Sequence, residues 1–122
     1  MIATGAYLRA YRERIGLSQD DVAKALGMSQ PKVVTEWESG KRRTKVDLWI
    51  LWIEMLGANP ATAQHLVVYG KSADDGRKAA ELEFSEDVKK ATRTERDALI
   101  AKIRGRLDQI QSEDDFTPSE EL

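Results

Sequence analysis

Leu17-Ser18-Gln19-Asp20-Asp21-Val22-Ala23-Lys24-Ala25-Leu26-Gly27-Met28-Ser29-Gln30-Pro31-Lys32-Val33-Val34-Thr35-Glu36-Trp37-Glu38-Ser39-Gly40 reads as two short helices joined by a tight turn. Ser18 is placed to cap the first, its hydroxyl taking up a free N–H of the opening turn. Val22 and Leu26 fall at i and i+4 on one face, and Ala23 is small enough to let another helix approach. Gly27 suits the position after a helix where only glycine enters the left-handed conformation cheaply. Ser29 is expected to cap the second helix, with Pro31 in its first turn and Val33 and Trp37 at i and i+4. Gly40 closes it. This is the sequence form of a helix-turn-helix.

At these residues the chain resembles the phage repressor and Cro-type (XRE-like) helix-turn-helix regulators. The resemblance rests on Leu8 and Arg12, then Gly16-Leu17-Ser18-Gln19, Val22-Ala23, Leu26-Gly27, Ser29-Gln30 and Trp37-Glu38-Ser39-Gly40, and it runs into Lys41-Arg42-Arg43. One departure is that Val33 and Trp37 stand four apart, where the family has three, as if one residue were inserted; both spacings keep one helix face. The resemblance implies a second helix that reads the DNA major groove, and Gln19 on a phosphate. It also implies a homodimer on a pseudo-palindromic operator, with recognition helices about one DNA turn, ~34 Å, apart.

With Val33 and Trp37 turned inward, Gln30, Lys32, Thr35 and Glu36 face outward. Gln can bond an adenine edge, Lys can donate to guanine, and Thr can donate, accept or touch a thymine methyl. Ser29 is read first as a cap, at the edge of this set. Lys41, Arg42, Arg43 and Lys45 follow in a stretch without apolar periodicity, a loop whose cations suit phosphate or the minor groove.

The net charge of the 122 residues is −2, unpromising for a DNA binder until the chain is divided. Residues 1–70 carry nine basic and seven acidic side chains, net +2, and residues 71–122 carry ten and fourteen, net −4. Local positive potential is what meets phosphate. The absence of cysteine excludes disulfides, thiol nucleophiles and cysteine-based zinc sites, and suits a cytoplasmic protein. The longest apolar run, Leu48 to Ile53, is far below the ~20 residues of a membrane span, and no signal pattern opens the chain. No cofactor is expected. An enzyme is disfavoured: there is no glycine-rich phosphate loop and no metal spacing, and the lone His65 lacks a nucleophile partner.

The expected fold is all-α: a five-helix repressor-type domain over residues 1–70 and a helical extension over 71–111, ahead of an acidic, disordered tail over 112–122. Helix 1 is expected from about Ala6 to Ile15, with Leu8, Tyr11 and Ile15 inward and Arg9, Arg12 and Arg14 on a solvated face. The next long helix, about Val46 to Leu56, is apolar nearly all round. Val46, Ile50 and Ile53 are read towards the core, and Trp49, Trp52 and Met55 on further faces, where the tryptophans suit either core or a subunit interface. Asn59-Pro60 opens the fifth helix, and Gly70 to Gly76 reads as a linker. Ala80, Phe84, Val88 and Ala91 mark an amphipathic helix. Thr94 is expected to cap the last one, in which Ile100, Ile103, Leu107 and Ile110, with Leu99 at the edge, form a seam. That seam is the expected dimer contact. A second reading makes the chain an antitoxin-like autoregulator whose acidic C-terminal region binds a protein partner.

Overall fold

A computed structural model describes residues 1–84 and 92–114. The described residues form seven α-helices: α1 (Ile2–Ile15), α2 (Gln19–Ala25), α3 (Lys32–Glu38), α4 (Val46–Leu56), α5 (Pro60–Tyr69), α6 (Ala73–Glu83) and α7 (Arg93–Asp114). α1 begins four residues earlier than its apolar pattern suggested, because Ala3 and Thr4 are buried as well as Tyr7 and Leu8. It is the central element, touching α3, α4, α5 and α6. The core gathers Leu8, Val22, Leu26, Val34, Trp37, Leu48, Leu51, Trp52 and Leu56. Trp37 and Trp52 meet with ring centroids 5.5 Å apart, joining α3 to α4.

The phase of α4 differs from expectation. Leu48, Leu51, Trp52 and Met55 join Ile53 and Leu56 inside, whereas Val46 and Ile50 are exposed. A helix apolar on every side carries no periodic mark of which side is covered. The stretch from Gly70 to Gly76 is also more ordered than a linker. Ser72 and Asp75 form a capping box, so α6 starts at Ala73 and takes Asp74, Asp75 and Gly76 into its first turns. Gly76 lies where α6 crosses α1, and a Cβ there would come within 1.8 Å of the Ala3 carbonyl oxygen. Only glycine permits that approach.

α6 is fastened at its far end by a carboxylate. Glu83 accepts from Tyr7 Oη at 2.5 Å, Tyr11 Oη at 2.7 Å and Thr62 Oγ1 at 2.5 Å, so one side chain binds α1, α5 and α6 together. Burial works to raise the Glu83 carboxyl, but the bonds from Thr62, Tyr7 and Tyr11 hold it below its ordinary value. Burial first, and the bond to Glu83 second, push Tyr7 up to about 12 and raise Tyr11 as well. Phe84 ends the helix in an extended conformation, and its ring lies 4.9 Å from that of Tyr11. Val88 and Ala91, expected to prolong this helix, lie outside the described residues.

α7 packs back on the same chain, against α2 and α4. Its cap is Thr92, not Thr94: Thr92 Oγ1 accepts from the Glu95 amide at 3.2 Å and Glu95 Oε1 from the Thr92 amide at 3.3 Å. The helix reaches Asp114, three residues into the stretch read as tail. Ile103 and Leu107 are 2% and 3% exposed, while Leu99, Ile100 and Ile110 are half-buried against the core. The seam expected to meet a second subunit is therefore covered within one chain. Polar bonds reinforce it: Arg96 to the Gly16 carbonyl at 3.1 Å, Arg104 to the Lys24 carbonyl at 3.3 Å, and Arg106 to Glu54 at 2.9 Å.

Two outcomes follow from this packing. Ile103→Ala lowers the unfolding free energy by about 2–5 kcal/mol without changing the oligomeric state, read by denaturant titration and sedimentation. A depressed carboxyl stabilises above the unfolded glutamate value of ~4.3, and that share is lost as pH falls through the lower folded value. The raised tyrosines act in the opposite sense, stabilising below ~10 and losing their share as pH rises beyond it. Glu83→Gln removes the acid-side component, seen as a flatter Tm-against-pH curve below pH ~4.3.

Candidate nucleic-acid interface

The geometry of the two-helix unit begins with its caps. Ser18 Oγ accepts from the Asp21 amide at 3.0 Å and Asp21 Oδ2 from the Ser18 amide at 2.8 Å, a capping box that starts α2. Gly27, at φ 73°, turns the chain out of α2, and Met28 is buried behind the turn. The N-cap of α3 is Pro31 rather than Ser29, so Ser29 and Gln30 belong to the approach turn. This absorbs the extra residue. Val34 and Trp37, both buried, keep a three-residue spacing inside the helix, and Val33 packs beside them. The buried Val34 was the sign of this register in the sequence.

The helix is held from behind by a buried ion pair. Arg12 Nε donates to Glu38 Oε2 at 2.6 Å and Arg12 Nη2 to Glu38 Oε1 at 3.1 Å. The Glu38 side chain is 2% exposed and that of Arg12 10%. Arg12 Nη1 also donates to the Leu17 carbonyl at 2.8 Å, at the entry to α2. Arg12 thus leaves the solvated face on which it was expected; Arg9 stays there, paired with Glu13. The backbones of α1 and α3 meet closely two turns before Arg12, where a Cβ on Gly5 would fall 2.4 Å from the Glu38 carbonyl oxygen. Gln19 completes the assembly, donating from Nε2 to Glu38 Oε1 at 3.0 Å and accepting from Thr35 Oγ1 at 2.6 Å.

The outer surface follows from this anchoring. Ser29, Gln30, Lys32 and Thr35 are exposed, and Lys32, Thr35, Glu36 and Ser39 share a face at i, i+3, i+4 and i+7. Ser39, also exposed, was missed by the sequence reading, which ended the outward set at Glu36. Glu36 accepts from Arg42 Nε at 2.8 Å, and its carbonyl receives the Lys41 amide at 2.9 Å and the Arg42 amide at 3.3 Å. The basic loop is therefore folded onto the end of α3, and Arg42 has its charge partly answered. Lys41 and Arg43 stay exposed on either side of it, and Lys45 is half-buried at the start of α4.

The residues expected at a subunit contact are placed differently. Trp52 is 1% exposed inside the core, whereas Trp49 is half-buried beside it, with ring centroids 6.3 Å apart. Trp49 lines an open hollow of about 500 Å³ with Val46, Ile50, Ile53 and Val67. His65 is exposed, its ring 4.8 Å from that of Tyr69. Among the described residues no group of three or more His, Cys, Asp or Glu is placed to hold a metal ion. No helix among them is long and apolar enough to cross a membrane.

No curated protein and no solved structure matches the chain. A family model described as a helix-turn-helix domain does match it, over residues 3–66, more than half its length. That span runs from the start of α1 into α5 and encloses the ion pair, the glycine turn and the exposed face of α3. The chain belongs to the helix-turn-helix domain family, in keeping with an XRE-like regulator.

Proposed function

We propose that this protein is a sequence-specific transcriptional regulator that binds double-stranded DNA as a homodimer on a pseudo-palindromic operator, in the manner of a phage-type repressor. The observation that carries the reading is the face of α3. Its inner side is buried and ion-paired, while Lys32, Thr35 and Ser39 stand outward beside the cations of Lys41 and Arg43. That surface presents side chains for base edges in its middle and charge for phosphates at its end.

A seven-residue helix reaches few base pairs, so specificity calls for two copies. The α4–α5 surface supports a place for the second copy. Val46 is 71% exposed, Ile50 46% and Val67 44%, around the apolar hollow beside Trp49. α4 follows directly on the basic loop, so a two-fold axis at this surface sets two copies of that loop on the same side of the pair. The C-terminal seam offers less, since Ile103 and Leu107 are already covered.

Selection of duplexes from a random pool by the full-length protein is expected to return an inverted repeat. Arg43→Ala lowers affinity for selected and unrelated DNA alike and makes the logarithmic salt dependence shallower by about one. Ile50→Asp shifts the protein towards monomer in sedimentation and weakens operator binding while leaving the fold intact. A pool that returns no common motif contradicts the DNA-reading function. A small protein co-purifying from the native operon, with no motif selected, favours the antitoxin-like reading.

A further inference from the structure

We infer that Thr35 reads the exocyclic amino group of an adenine or a cytosine, because Glu38, acting through Gln19, fixes the Thr35 hydroxyl as an acceptor towards the DNA. The inference rests on the DNA-binding reading above and names one specificity contact within it. It starts from Glu38, whose carboxylate, ion-paired with Arg12 at 2.6 Å, can only accept hydrogen bonds. The Gln19 atom 3.0 Å from Glu38 Oε1 must then be the amide nitrogen. The amide has one donor end and one acceptor end, so its oxygen is the atom 2.6 Å from Thr35 Oγ1.

A threonine hydroxyl carries one proton and two lone pairs. Facing the Gln19 oxygen, it must donate that proton inward. The Pro31 carbonyl, 3.3 Å from Thr35 Oγ1, is a second acceptor and makes the same demand. What Thr35 turns to the groove is lone-pair density. In the major groove that meets N6 of adenine or N4 of cytosine, and is repelled by O6 of guanine or O4 of thymine. Phosphate oxygens, being acceptors, are refused for the same reason. Thr35 is thus a base contact and not a backbone contact. Gln19 is a positioning residue: it sets which base Thr35 accepts.

The test uses full-length protein and duplex selection with wild type, Thr35→Val, Thr35→Ser and Gln19→Leu. Thr35→Val keeps the shape and removes the hydroxyl; Thr35→Ser keeps the hydroxyl and its bond to Gln19. At one position per half-site, wild type and Thr35→Ser are expected to select A or C on one strand, Thr35→Val to lose that preference, and Gln19→Leu, which leaves only the longer bond to the Pro31 carbonyl, to weaken it. Replacing the chosen base by its analogue without the amino group, purine for adenine or pyrimidin-2-one for cytosine, weakens wild-type binding roughly fivefold to tenfold. The same replacement leaves Thr35→Val unchanged. A preference untouched by Gln19→Leu overturns the relay. Equal wild-type affinity with and without the amino group overturns the assigned contact. In both of those cases DNA binding stands, whereas a wild-type pool with no shared motif removes the functional reading and this inference together.

Discussion

The ion pair between Arg12 and Glu38 is the constraint from which the exposed face of α3 takes its form. Two charges withdrawn from water hold a structure together only when every remaining donor and acceptor is met. Here the guanidinium is taken up by Glu38 and the Leu17 carbonyl, and the carboxylate by Arg12 and Gln19. Removing either partner strands a buried charge, at a cost of about 3–5 kcal/mol. The pair joins α1 to the end of α3 and reaches α2 through Gln19. α3 is consequently fixed at its C-terminal end, with its own N-terminus resting on Pro31 and no side-chain cap.

Local chemistry makes much of this legible in the sequence alone. The Ser18 cap, the glycine turn at Gly27, the bounds of α4 and the Asn59-Pro60 start of α5 each depend on a few neighbouring residues, and each stands where the sequence put it. What sequence could not give was the choice between equivalent surfaces. A stripe of Ile100, Ile103, Leu107 and Ile110 states that something must cover it, and both a second helix and the flank of α2 and α4 satisfy that demand. α4, apolar throughout, conceals its own phase. Arg12 was read as solvated because burial by ion pairing leaves no period in the chain; its partner lies 26 residues away. In the α3 unit the extra residue, assigned to the helix, belongs to the turn before it, and Ser39, beyond the outward set, shares the exposed face.

The extension changes how the helix-turn-helix domain is supported. α6 lies against α1 by way of Gly76 and is fastened by Glu83, while α7 covers α2 and α4. The elements outside the family match thus brace α1, α2 and α4 and leave the outer face of α3 exposed. The acidic excess of residues 71–122 is compatible with a locally basic surface, because Lys32, Lys41 and Arg43 are exposed on α3 and the loop after it and interactions between exposed charges die away over a Debye length of about 10 Å.

The central claim, that DNA meets the face of α3 and the loop behind it, is tested most directly by amide chemical-shift mapping of the full-length protein against a selected duplex. The account predicts the largest changes at Gln30, Lys32, Thr35, Ser39, Lys41 and Arg43, with smaller ones at Gln19 and quiet amides along the outer side of α6. Changes centred on α6 or α7, with α3 unmoved, would contradict it.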